Sequence, residues 1–382
     1  MKGSLQHIIG MAALCGLLCI QTACDRSTDN AADNGPTVML GLTTEVLGPT
    51  RAGTADDVPQ LEKMNTLRIV ILHPDGTVEH NRYIDFGQTV RSEYTQFLEV
   101  RQNEKKSVCL IANENSVSGL HETLEAYPAG SHGFKDAVGG FAFAPDYSRP
   151  LPMSAEYEIE TGKEAQECRF SLVRAATKFT FRFTNRRPGP VTVDGIEVAA
   201  IADRTYLMPR KVAPTMRFQQ TADSPVEELY WIDWLKRVSD ESQQNPDDKT
   251  LADKRGWILD YDVPETEHRT AAADIPAGFR VAGLTYDMGV PQPGTAVCPA
   301  FYLPESKNLK TASAPYGQQE YFMTLRLTDE NNERQVFERP FDNLKALFRN
   351  THVMVDIAFY QEGIQVEVIP YSEVVLEPEF GL

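Results

Sequence analysis

Thr177-Lys178-Phe179-Thr180-Phe181-Arg182-Phe183-Thr184-Asn185 alternates aromatic and polar residues without a break. Side chains of an extended chain point to opposite faces at period two, so Phe179, Phe181 and Phe183 share one face. The stretch therefore reads as a β-strand with one face on a core. Working outward, the same signature recurs. Thr37–Val46 (TVMLGLTTEV) places Val38, Leu40, Leu42, Thr44 and Val46 on one face. Leu67–Leu72 (LRIVIL) and Ser107–Ala112 (SVCLIA) are apolar runs that read as buried strands. Phe97–Arg101, Glu156–Glu160, Val191–Ala199, Gly256–Tyr261, Thr295–Leu303 and Tyr321–Leu327 supply further strands. Val353–Tyr360 and Ile364–Ile369 form a hairpin across Gln361-Glu362-Gly363. Helical spacing is confined to Leu120–Tyr127 and to Glu227–Val238, where Tyr230, Trp234 and Val238 recur every fourth residue. Gly139-Gly140 reads as a turn or strand bend. The strand–helix alternation of a parallel sheet is missing, so the fold class is all-β, built from antiparallel β-sandwiches with short helices in the connections. A boundary near residues 169–172 separates an N-terminal domain, 37–170, from a C-terminal domain, 171–382.

A chain of 382 residues is long enough for two domains with their own cores. Its formal charge of −17 repels phosphate backbones and excludes nucleic acid as a partner. The N-terminus sets the compartment. Lys2 is a short positive region, and Ile8–Ile20 is an apolar stretch too short to span a bilayer comfortably. Thr22-Ala23-Cys24 follows. The arrangement resembles a lipoprotein signal, residues 1–23, with Cys24 as the lipidated first residue, although Gln21 stands where an aliphatic residue is usual. An ordinary secretory signal is the alternative, and both export the chain. Residues 24–36 are polar and turn-rich, a flexible tether. Of six cysteines, Cys15 and Cys19 leave with the signal and Cys24 carries lipid. Cys109, Cys168 and Cys298 remain, without CxxC spacing, so neither a disulfide framework nor a zinc site is expected.

The chemistry-bearing motifs are missing. None of the seven histidines has the HExxH spacing, and there is no GxSxG, phosphate loop or GxGxxG. Asp247-Asp248 lacks the oxygen-ligand spacing of a calcium loop. Trp231, Trp234 and Trp257 could line a sugar-binding surface, but Trp234 lies on the apolar helix face and reads as core. No catalytic residue, metal ligand or cofactor is assigned, and the chain is not read as an enzyme. A hydrolase would need a concave site with converging carboxylates.

Several short stretches, in this order, carry a resemblance. They are the leader, Lys105–Asn113 (KKSVCLIAN), Leu172–Lys178 (LVRAATK), Tyr206–Pro209 (YLMP), Phe301–Ser306 (FYLPES), Phe348–His352 (FRNTH) and the tail through Phe380-Gly381. Together they resemble the fimbrillin family of Bacteroidales, the subunits of type V pili, over essentially the whole chain. That resemblance implies two transthyretin-like sandwich domains and lipid-dependent transport to the outer membrane. For stalk subunits it implies cleavage after an arginine by a trypsin-like protease. Cleavage removes the first strand, and the C-terminal strand of a neighbouring subunit fills the groove. The implied partners are other fimbrial subunits, the processing protease, the outer membrane through the anchor, and a host or bacterial surface ligand.

Two ends of this chain suit such an exchange. Val38, Leu40, Leu42 and Val46 are the candidate displaced strand. Within the tail, 370–382, the candidate donor residues are Val374, Leu376, Phe380 and Leu382. Both segments are apolar at every second residue and could lay that face into the same sandwich. The alternative is that the tail is simply the chain's own last strand. Arg51, just after the first strand and followed by Ala52-Gly53, is the candidate cleavage position. The runner-up function is a tip adhesin or glycan-binding surface lipoprotein.

Overall fold

A computed structural model describes residues 35–46, 59–211, 216–218, 225, 227–229, 261–262, 269–307, 321–341, 344 and 346–374. The first eight strands are β1 (Thr37–Val46), β2 (Thr66–Leu72), β3 (Val78–Asp85), β4 (Glu93–Arg101), β5 (Lys105–Ala112), β6 (Ala142–Phe143, paired with Thr205–Tyr206), β7 (Met153–Glu160) and β8 (Gln166–Arg174), and all but β6 build the first sandwich. Seven of them form one path, β3-β2-β5-β7-β8-β1-β4. The turning point lies between β7 and β8, which share only the pairs Met153↔Arg174 and Ser154↔Val173. Beyond it, β8, β1 and β4 close over β2, β5 and β7, and the core fills the space between: Val38, Leu40, Leu42, Val46, Leu67, Ile69, Ile71, Leu110 and Leu172.

The opposite face of β2 and β5 is covered as well. Val70, Leu72, Cys109 and Ile111 pack against α1 (Leu120–Glu125) and α2 (Phe134–Gly139) through Leu120, Leu124, Phe134 and Val138. Strands buried on both faces have no polar face to alternate with. That is why LRIVIL and VCLIA run apolar. Buried charges inside this layer are paired: the Arg68 guanidinium donates to both Glu114 oxygens at 2.7 Å and to Glu125 at 2.8 Å, which ties α1 to β2.

The second sandwich starts with β9 (Thr177–Asn185) and β10 (Val191–Ile201). In one sheet β9 lies between Gly294–Val297 with Phe301–Leu303 on one side and Thr351–Tyr360 on the other; Gly363–Val374 forms that sheet's far edge. In the other sheet β10 lies between Arg269–Ala272 with Arg280–Val281 and Phe322–Thr328, with Arg334–Pro340 outermost. Phe179, Phe181 and Phe183 are buried between the sheets, as the alternation of β9 dictates.

Four expectations change in detail. Residues 170/171 fall inside β8, and the chain passes from one sandwich to the other at Ala175-Ala176. Gly139 ends helix α2 rather than a strand bend; six residues are too few to display a helical period. Cys298-Pro299-Ala300 splits the expected strand Thr295–Leu303 into two that both pair with β9. Glu227–Leu229, the start of the expected helix, is a strand paired with Met216–Phe218, because a partner strand overrides local helical spacing. The rest of that segment, Trp257, and most of Gly256–Tyr261 lie outside the described residues.

Candidate functional site

β1 occupies an interior slot. On one side it pairs antiparallel with β4, from Thr37↔Arg101 to Glu45↔Glu93. On the other it runs parallel to β8, from Leu40↔Gln166 to Val46↔Leu172. The order β8-β1-β4 makes β1 the strand that pairs with β4 in this path among the described residues. Withdrawal of β1 would leave unpaired backbone on both walls and bare apolar surface below, and neither is tolerated without a replacement.

The inward face of β1 carries the sequence-derived residues. Val38, Leu40, Leu42 and Val46 are all buried in the first core. Each is worth about 1.5–3 kcal/mol on transfer from water. Thr44, between them, is fully buried, and its hydroxyl has no hydrogen-bond partner among the described residues. The outward face is polar. Arg169 of β8 donates to Glu45 of β1 at 2.6 Å and reaches Glu93 of β4 at 3.4 Å, a charge staple across three strands. Thr43 and Thr95 meet at 2.9 Å, and Thr37 bonds Glu99.

Of the other sequence-derived positions, Cys24, Arg51, Ala52, Leu376, Phe380 and Leu382 lie outside the described residues. Val374 is placed: it pairs with Thr351, and Glu373 with His352, at the end of the chain's own edge strand Gly363–Val374. Cys109, Cys168 and Cys298 are free thiols. Cys168 is half-buried on β8, beside Leu42 in the register. Burial raises the Cys298 thiol to about 11.

Sequence reasoning did not find the second polar assembly, the junction between the sandwiches. Glu62 enters from the first sandwich and is almost wholly buried. It accepts from Lys178 Nζ at 2.9 Å and from the Tyr302 hydroxyl at 2.6 Å. Arg174 Nη2 lies 3.0 Å away as an ion pair. Burial pushes the Glu62 carboxyl up, but Arg174 and Lys178 outweigh it and hold the group below its ordinary value. Alongside, the fully buried Arg349 is paired with the fully buried Glu305 and donates to the carbonyls of Leu207 at 3.0 Å and Tyr206 at 2.6 Å. Asn350 accepts from Arg174 Nη1 at 3.0 Å. The stretches LVRAATK, YLMP, FYLPES and FRNTH, scattered along the chain, therefore meet at one place. Their buried charges were the available signal, but nothing local says which will face which.

No protein-family model and no curated protein matches the chain. Solved structures do. The tip fimbrial protein Mfa3 of Porphyromonas gingivalis, with a C-terminal truncation, is similar at 11% identity, over 88% of this chain and 100% of that one, with a TM-score of 0.49. A fimbrilin of the same organism is similar at 9% identity, over 87% and 97%, with a TM-score of 0.47. A fimbrial assembly protein of Parabacteroides distasonis is similar at 12% identity, over 90% and 99%, with a TM-score of 0.41.

Proposed function

We propose that this chain is a structural, non-catalytic subunit of a cell-surface fimbria, exported as a lipoprotein through Cys24 and assembled by strand exchange. The observation that carries the reading is the position of β1. It is an interior strand, yet it is the first strand of the described residues. In sequence, the segment 47–58, which holds Arg51, connects it to the next described residues. One cut there by a trypsin-like protease turns β1 into a separable ligand. The C-terminal segment of a neighbouring subunit, bearing Leu376, Phe380 and Leu382, then takes its place. Uncut chain keeps β1 at very high effective concentration and stays monomeric.

The reading is tested by limited trypsin treatment of purified residues 25–382 followed by sizing. Cleavage after Arg51, loss of residues 25–51 and growth of SDS-resistant ladders are expected. A cut chain that sheds its strand and still never assembles refutes the stalk role. Tail deletion that unfolds the monomer makes the tail an intramolecular strand and refutes donation.

A further inference from the structure

Gly41 is the central residue on the outward face of β1, and it is covered. The ring of Phe97, its cross-strand partner on β4, lies over it. A Cβ at position 41 would stand 3.0 Å from Phe97 Cε1, 3.3 Å from Cδ1 and 3.1 Å from Glu167 Cγ on β8. A methyl group needs the neighbours to move by a few tenths of an ångström. A longer side chain needs the Phe97 ring to swing aside, which exposes more of a side chain that is already 54% exposed. The slot thus tests its occupant at one outward position.

An apolar stripe of period two does not fix its own register, because a slide of two residues returns the same face. The tail residues Val374, Leu376, Pro378, Phe380 and Leu382 can start at the place of Val38 in three ways. With Val374 or Leu376 there, Glu377 or Glu379 falls at position 41, a long acidic side chain against Phe97 and beside Glu167. With Pro378 there, Gly381 falls at position 41, and Phe380-Gly381-Leu382 overlays Leu40-Gly41-Leu42. Resting on the strand-exchange reading, we propose that Gly41 and Phe97 form a glycine-keyed register pin. The tail of a second copy seats with Gly381 in the place of Gly41.

Two observations favour that seating. Val46 N–H donates to Ser92 O at 2.8 Å, so by the alternation of an antiparallel ladder the even positions of β1 donate to β4. Pro378 has no N–H to give. At position 38 it costs a bond near the slot's open end, before pairing with β8 begins at Leu40; at 40 or 42 it costs one in the middle. Second, Val374 is held opposite Thr351 in its own sheet, and the glycine register leaves it there. The register that starts with Val374 strips it out. Against it, the glycine register leaves the places of Thr44 and Val46 unfilled by residues up to Leu382, which bares core surface at that end of the slot, and it sets Glu379 opposite the exposed Glu99, a screened repulsion of small effect.

Native Cys168, beside position 42, reads the register directly. Single variants Leu382→Cys, Phe380→Cys and Pro378→Cys of residues 25–382 are trypsin-treated, allowed to assemble and oxidised mildly. The expected result is an intermolecular disulfide to Cys168 from Leu382→Cys, identified by peptide mapping. A dominant crosslink from Phe380→Cys or Pro378→Cys overturns the register and leaves strand exchange standing. Failure of the unsubstituted protein to assemble overturns strand exchange itself. Because a cysteine can weaken a buried anchor, a second pair decides independently. Gly381→Val slows assembly by roughly tenfold or more, since overpacking must be relieved at Phe97. Phe97→Ala restores it. Equal rates for Gly381→Val and the unsubstituted tail, or no rescue, refute the pin.

Discussion

Thr44→Val gives the sharpest reading of how firmly β1 is held. Thr44 is fully buried on the core face of β1, and its hydroxyl has no partner among the described residues. Stranding a hydroxyl in an apolar core costs about 1–3 kcal/mol, because the unfolded chain keeps it bonded to water. Valine has nearly the same shape, so no cavity opens and the replaced oxygen becomes one more buried methyl. The net expectation is a stabilisation of about 1–2 kcal/mol, a factor of 5–30 in the folded-to-unfolded ratio. Urea unfolding of residues 25–382 should show a higher midpoint with an unchanged slope, the mark of altered stability without altered compactness. Cleaved protein should shed β1 roughly tenfold more slowly if most of the gain is lost on strand release. An unchanged or lower midpoint would refute the argument; it would mean that the hydroxyl is satisfied in solution, for instance by a buried water.

Other consequences follow from the buried charges and thiols. Glu62 is held below its ordinary value of 4.5, so its stabilisation is present above about that pH and is lost as pH falls through the depressed folded value. Glu62→Gln should therefore weaken the fold at pH 7, where it leaves Arg174 and Lys178 facing a neutral group, and show a shallower loss of urea midpoint below pH 4.5; parallel acid profiles would contradict this. Arg349→Met removes the guanidinium that balances the buried Glu305 and should cost about 3–5 kcal/mol in unfolding free energy, whereas adding Glu305→Leu should recover most of it. Failure of the double variant to recover would show that the carbonyl contacts to Tyr206 and Leu207, not the ion pair, hold the junction. Cys168 should react with a thiol reagent slowly in intact protein and faster once β1 has been cut and released, while fully buried Cys109 stays inert; equal rates before and after release would place Cys168 outside the slot.

Part of the strand content of this protein was written locally; β3 and the strand Arg334–Pro340 were not read from the sequence. Alternation at β9 and β1, and apolar runs at β2 and β5, follow from the period of the extended chain, and the buried faces came out as that period requires. So did the short helix at Leu120, whose Leu120 and Leu124 sit one turn apart. The alternation in Val38–Val46 also revealed a strand with one core face. It did not reveal the neighbours of that strand. Pairing with β8 joins residues 126 apart, as between Glu45 and Ser171, and any strand of matching pattern could have been the partner. The same holds for Glu227–Leu229, where helical spacing yielded to a partner strand, and for Gly41, whose meaning depends on Phe97 lying across it. The junction is the extreme case. Glu62, Arg174, Tyr302, Glu305 and Arg349 come from segments far apart in the chain, and each alone reads as a polar residue bound for the surface. Burial of such charges is favourable only when partners arrive together with matching geometry, and that coincidence is a property of the packed fold, not of any stretch of sequence.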